Sequence, residues 1–314
     1  MMSTLKSKSK YLTAFFCFMI SFCSGSAQGQ LLTLETEHLR LIYFGQAHAH
    51  LISYAARCFE NSFAVYSRLY EYTPEEKVTL VLHDFGDYST AGTGTVPKNH
   101  ITMTIAPTNY IFETYPSNER FNALMNHELA HIVTMDKTTK TDRFFRTLFG
   151  GKVTETFENP LSMLYSQLTT PRRNSPSWYR EGIAVFMETW LSGGLGRALG
   201  SYDEMVFRTM VRDSTDILNL LAFESAGTRI DFQQGANAYL YGTRFMSYLA
   251  LQHGPESLLD WTSRSADSKA FYISQFKNTY GKSIHKAWRE WIDWEQQFQQ
   301  SNLELIRQVP LLSH

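Results

Sequence analysis

Two rhythms of hydrophobic and polar positions divide the chain. In the N-terminal part they are those of strands. Leu39 to Phe44 reads as one, and Val78 to Leu82 (VTLVL), rich in β-branched residues, as a second. Ile101, Met103 and Ile105 alternate with Thr102 and Thr104, a period of two that predicts a half-buried strand. This strand is expected either to bind an extended peptide at a sheet edge or to lie inside the sheet. Between the first two, Ala49 to Tyr70 predicts a helix ended by Pro74. Ala91 to Pro97 reads as a Gly/Thr turn region. Beyond Pro116 the pattern becomes mainly helical, so the expected fold class is α+β: a mixed sheet first, helices after.

In the segment Ser117 to Asp136, Phe121, Leu124, Met125, Leu129, Ile132 and Val133 mark one apolar face at helical spacing. Ser117 or Asn118 is the expected cap, with Glu119 in the first turn. Near the C-terminus Trp288, Trp291 and Trp294 recur every third residue, which predicts core packing. Arg172 and Arg173, in a Pro-flanked stretch, read as a solvated turn.

The extreme N-terminus carries an address. Lys6, Lys8 and Lys10 precede an apolar run from Tyr11 to Phe22, followed by Gly25-Ser26-Ala27. The run falls short of the roughly 20 residues a membrane-spanning helix needs. The expectation is an export signal over residues 1–27, cut after Ala27 to leave Gln28 first, and a periplasmic or secreted protein with no stable membrane insertion. Acylation at Cys23 is the rival, and bulky Phe22 before it argues against it. Removal of Cys17 and Cys23 leaves Cys58, expected to be a buried packing residue in a chain without an internal disulfide.

Composition narrows the classes further. Of 314 residues, 43% are hydrophobic, enough for a sizeable core. With 29 basic and 30 acidic residues the net charge is -1, which gives no long-range attraction for nucleic acid. No nucleic-acid partner is expected.

The chemistry concentrates in His127-Glu128-Leu129-Ala130-His131. Residues four apart on a helix lie one turn above each other, so both imidazoles can reach one metal ion. Glu128, next to the first histidine, is placed to take a proton from a water and pass it to a leaving amine. Zinc needs a third protein ligand and keeps one open position. Thr134 and Lys137 stand where a metzincin would need glycine and a third histidine, which closes that route. Glu155 and Glu158 are nearer His131 but sit in a turn-like stretch, TETFENP. Glu181 lies in Pro176-Ser177-Trp178-Tyr179-Arg180-Glu181-Gly182-Ile183-Ala184-Val185, where Trp178, Ile183, Ala184 and Phe186 would hold a helix against the first and Gly182 permits a close approach. Glu181 is the favoured ligand, with Glu155 and Glu158 as alternatives.

The string Trp178-Tyr179-Arg180-Glu181-Gly182-Ile183-Ala184-Val185 resembles the W-x-x-E-G-x-A helix of gluzincin peptidases. The longer distance from His131 to Glu181 makes the chain more similar to the peptidase MA-like family of exported bacterial proteins. Gly194-Leu195-Gly196-Arg197, Ala238-Tyr239-Leu240-Tyr241-Gly242 and Gly281-Lys282-Ser283 followed by Trp288 add to that resemblance, which spans roughly residues 35–300. It implies a zincin-like fold, bound Zn2+ and hydrolysis of peptide or protein substrates in a cleft between two subdomains. By analogy Tyr239, three residues before Gly242, steadies an oxyanion, whereas Tyr241 would face elsewhere. The expected layout is a sheet subdomain over 28–115, zinc-binding helices over 116–200, a helical subdomain over 201–300 and a tail over 301–314. Relatives often carry a TolB-like propeller after this domain, and none is expected here. A non-catalytic binding or assembly module on the same scaffold is the competing reading, and intact Glu128 argues against it. A zinc hydrolase of non-peptide amides would share every site residue.

Overall fold

The computed structural model describes residues 31–46, 48–87, 89–106, 119–225 and 232–309. The export signal, Ser117 and Asn118 lie outside them. Among the described residues no helix is long and apolar enough to cross a membrane.

The fold is α+β. Strands β1 (Leu31–Glu35), β2 (Leu39–Phe44), β3 (Val78–His83), β4 (Ala91–Gly94) and β5 (His100–Thr104) form one sheet in the order β1-β2-β3-β5-β4. The inner pairs β2–β3 and β3–β5 are parallel, and the outer pairs β1–β2 and β4–β5 antiparallel. Helix α1 (Ala49–Leu69) is the crossover that parallel β2 and β3 require. Alternation sends Leu39, Leu41, Val78, Leu80, Leu82, Ile101 and Met103 to a buried face in one core with Ala55, Phe59 and Phe63 of α1.

One element differs from the sequence reading. Ala91–Gly94 is a strand: Ala-Gly-Thr-Gly has little intrinsic β preference, and its pairing with β5 makes it one. The strand containing Ile101 is consequently internal, and β4 is the edge. Helix α1 ends where the sequence reading put it, at Leu69 with Tyr70 as its C-cap, and Glu71 with φ 46°, rather than Pro74, turns the chain.

The remaining chain is helical: α2 (Arg120–Asp136), α3 (Lys140–Leu148), α4 (Pro160–Thr169), α5 (Ser177–Leu191), a 3-10 turn (Arg197–Leu199), α6 (Ser201–Arg212), α7 (Leu220–Ser225), α8 (Phe232–His253), α9 (Glu256–Thr262), α10 (Tyr272–Tyr280) and α11 (Ile284–Arg307). Trp288 and Trp291 of α11 are fully buried, with Trp288 5.1 Å from Trp178 and 4.8 Å from Phe245 by ring centroids. Trp294 is half-buried against Tyr248. Cys58 is buried, as its apolar neighbours predict.

Arg172 corrects the expectation of a solvated turn. It is 1% exposed and donates to the Tyr179 hydroxyl and to the carbonyls of Trp261 and Lys269. Three acceptors replace the water a buried guanidinium loses. Arg173 is half-buried and pairs with Glu155.

At the C-terminal end of α2, buried Asp136 accepts from the Tyr72 hydroxyl and Asn99 Nδ2, both at 2.7 Å, and pairs with Arg146 at 3.1 Å and Lys152 at 3.0 Å. Burial opposes ionisation of this carboxyl, but Lys152 and Arg146 outweigh it and hold its pKa below the ordinary carboxylate value. A folded-state pKa below the unfolded value of about 3.9 gives stability that is present above that pH and lost as pH falls through the folded value. Asp136→Asn leaves two buried cations without their anion and should cost about 3–5 kcal/mol near neutral pH. Urea unfolding as a function of pH should show the gap between variant and wild type shrinking below about pH 4.

Candidate metal centre

Helix α2 starts at Arg120. Its N-cap is Glu119, whose carboxylate accepts from the amides of Phe121 and Asn122, so Glu119 sits one step outside the first turn. From Met125 to Asp136 every residue of α2 is buried. One further tie fixes its rotation: the Tyr66 hydroxyl of α1 donates to the Asn126 carbonyl at 2.6 Å. The pair at positions 127 and 131 then presents both imidazoles to α5, with Nε2 atoms 3.2 Å apart.

Helix α5 brings the carboxylate. Glu181 Oε2 lies 3.3 Å from His127 Nε2 and 3.4 Å from His131 Nε2. One ligand atom from each of the three residues falls within 4.8 Å of the others, and among the described residues they make the one such group able to hold a metal ion. Glu155 is occupied elsewhere, by Ser166 and Arg173, and Glu158 is exposed. Gly182 does give a close helix approach, to α8 rather than α2: a Cβ on Gly182 would lie 2.5 Å from the carbonyl carbon of Gly242.

Glu188, two turns after Glu181, lies outside the sequence reading. It is buried, and its Oε2 accepts from His127 Nδ1 at 2.8 Å. With Nδ1 donating, His127 Nε2 carries a lone pair and faces Glu181 and His131. Three acceptors thus converge in a site that is almost dry, an arrangement that fits a bound cation. Burial alone would lower the His127 pKa, but hydrogen bonds to Glu181 and Glu188 raise it well above the ordinary imidazole value. Burial likewise works to raise Glu181, yet His131 and His127 hold it well below the carboxylate range. For Glu188 burial prevails over His127 and its pKa is raised.

Glu128 points to the other side of the cluster. Thr93 Oγ1, on edge strand β4, donates to Glu128 Oε2 at 2.6 Å. Tyr239 of α8 stacks its ring on His127, centroids 6.2 Å apart, and bonds its hydroxyl to Glu181; burial first, then the Glu181 charge, raises its pKa. The Arg197 guanidinium lies 5.5 Å from the Tyr239 ring centroid and is held by both Asp203 oxygens at 3.1 Å. Tyr241 belongs to the core: its hydroxyl accepts from the Leu218 amide and its ring stacks on Trp288. Of the residues that complete the site, Glu188 could have been found from its seven-residue offset, which puts it on the face of α5 that carries Glu181. Thr93 gives no such signal.

Fold and site together define an α+β protein with a His127–His131–Glu181 cluster compatible with a metal. Among the solved structures to which the chain is similar is the crystal structure of an aminopeptidase N family protein from Idiomarina loihiensis, with a TM-score of 0.34 and 12% identity. The similarity covers 90% of this chain and 45% of that one, so this chain spans less than half of that protein. No protein-family model matches the chain, and no curated protein matches it.

The geometry ranks the ligands. His127→Ala, His131→Ala or Glu181→Ala should abolish most divalent-metal binding after dialysis, whereas Glu155→Ala and Glu158→Ala should keep it, as read by elemental analysis. Glu188→Gln removes the charge behind His127 without touching the cluster. It should weaken zinc about 10–100-fold in a chelator competition.

Proposed function

We propose that this chain is a zinc-dependent metallopeptidase in which His127, His131 and Glu181 hold the metal, Glu128 is the general base and Tyr239 steadies the oxyanion. The observation that carries the reading is the convergence of two buried imidazoles and the partly buried Glu181, with a separate carboxylate, Glu128, bonded to Thr93 beside them. Metal binding alone does not call for that fourth group. Zinc, when bound, supplies a lowered water pKa and polarisation of the scissile carbonyl.

The chain's own residues supply the rest. Glu128 takes the proton from the attacking water and returns it to the leaving amine, and the Thr93 hydroxyl donates to its carboxylate and holds it in one orientation. Tyr239 carries a neutral phenol, which can donate a hydrogen bond to negative charge developing on the carbonyl oxygen. Arg197 over its ring restricts where that hydroxyl can go. Glu188 keeps His127 in the tautomer that leaves Nε2 free for the metal. Edge strand β4, bonded to Glu128 through Thr93, offers backbone groups to an extended peptide, a role that was one of two alternatives for the Ile101 strand.

Glu128→Gln should retain zinc and fold normally while turnover of a peptide library falls by at least about 10²-fold. Tyr239→Phe should lower turnover by roughly 10–10³-fold with unchanged metal content. A zinc-loaded wild type that cleaves nothing in the library, with a cellular role that survives Glu128→Gln, would instead mark a binding scaffold.

A further inference from the structure

Helices α3 and α4, in the segment joining the two metal-bearing helices, are amphipathic in the wrong sense for a protein interior. The buried positions of α3 are Asp142 and Arg146; those of α4 are Ser162, Ser166 and Thr169. Asp142 is gripped by Arg264, with oxygens 2.6 and 2.8 Å from Nη2. Arg146 donates to the carbonyls of Thr169 and Asp136. The large apolar side chains point the other way. Phe144 and Leu148, one turn apart on α3, and Leu161 and Leu164 on α4 are each at least half exposed, and Phe157 in the loop between the helices is fully exposed. Phe149 and Tyr165, stacked at 4.3 Å, join the two helices beneath this surface.

Soluble proteins rarely gather large apolar side chains on one exposed surface unless it binds something. We propose that the α3–α4 hairpin is a docking surface for a lipid bilayer bearing anionic headgroups. Phe157, with nothing around it, cannot be the wall of a groove for a peptide; it suits insertion into an interface. Lys140 and Arg143 are exposed on α3 beside the apolar residues, and the segment's exposed acid is Glu158, Glu155 being neutralised by Arg173. Those cations complement anionic headgroups. The overall charge of -1 gives no long-range attraction, so the binding is local and needs the apolar contact.

Vesicles of phosphatidylcholine with phosphatidylglycerol should sediment the full chain more strongly than phosphatidylcholine alone. Phe144→Ser/Phe157→Ser/Leu161→Ser should lower that binding at least about tenfold. Lys140→Gln/Arg143→Gln should remove about fivefold for each cation from the anionic vesicles only. These side chains are exposed, so unchanged zinc content and melting temperature will certify the fold. Because Tyr11 to Phe22 is itself apolar, a local readout is also needed. In a Cys17→Ser/Cys23→Ser background, nitrobenzoxadiazole on Phe157→Cys should shift to the blue on anionic vesicles, while the same label on Glu304→Cys should not. A Phe157 label that vesicles leave unmoved would overturn the proposal. So would a doubled mass in light scattering that the triple serine variant returns to one chain, which would make the surface a contact between copies.

Discussion

A Cβ on Gly182 would lie 2.5 Å from the Gly242 carbonyl carbon, and one on Gly242 would lie 2.1 Å from the Trp178 carbonyl oxygen. Neither neighbour can move, because both are helix backbone. The crossing of α5 and α8 is therefore open only to glycine at both positions. The site depends on it. Glu181 immediately precedes Gly182, and Tyr239 stands one turn before Gly242, so the backbone contact sets the separation of the carboxylate and the phenol. Helix α5 meanwhile packs its other side on α2 and faces Glu181 and Glu188 to the imidazoles. Moving α8 outward by the width of a methyl group would withdraw Tyr239 from His127 before it changed anything on α2.

The electrostatics follow from that packing. Glu128, Glu181 and Glu188 all come close to His127 in the interior, and the hydrogen bonds to Glu181 and Glu188 favour a proton on its ring. A divalent cation at the Nε2 side would displace that proton while leaving the bond from Nδ1 to Glu188 in place. Glu188 is thus the group that stays the same in both states. It keeps the ring from turning when the proton leaves.

Legibility in the sequence followed the range of the interactions. The pair at 127 and 131 was readable because helical periodicity alone puts both rings on one face. Glu181 was readable because Trp178, Gly182 and Ala184 advertise a packed helix around it. Glu188 shares the Glu181 face through its seven-residue offset, but a glutamate late in a helix is ordinarily solvated, and only the fold buries it, at 2% exposure. Strand β4 was hidden for the same reason: Ala-Gly-Thr-Gly carries turn residues, and its strand character comes from pairing to β5, with Thr93 then reaching α2. Arg172 was misjudged because flanking prolines signal a loop, while the acceptors that make its burial tolerable arrive from Trp261 and Lys269, roughly a hundred residues away in sequence.

The α3–α4 hairpin shows what stability alone would not produce. Burying Asp142 and Arg146 removes two charges from water, and their partners Arg264 and Asp136 bring two more. Such buried pairs roughly balance their desolvation, and apolar residues of similar size would commonly do as well or better. Turning Phe144, Leu148, Leu161 and Leu164 outward forgoes burial worth about 1.5–3 kcal/mol for each side chain. A hairpin selected only to bridge α2 and α5 would have the opposite pattern. The polar inner face has one structural benefit: its hydrogen bonds tie α3 to α4 and run out to α2 and to Arg264, two residues past α9, which anchors the hairpin in a single orientation. An outer apolar surface held that rigidly, between the two helices that carry the His127–His131–Glu181 cluster, fixes how that cluster is presented to whatever the surface contacts.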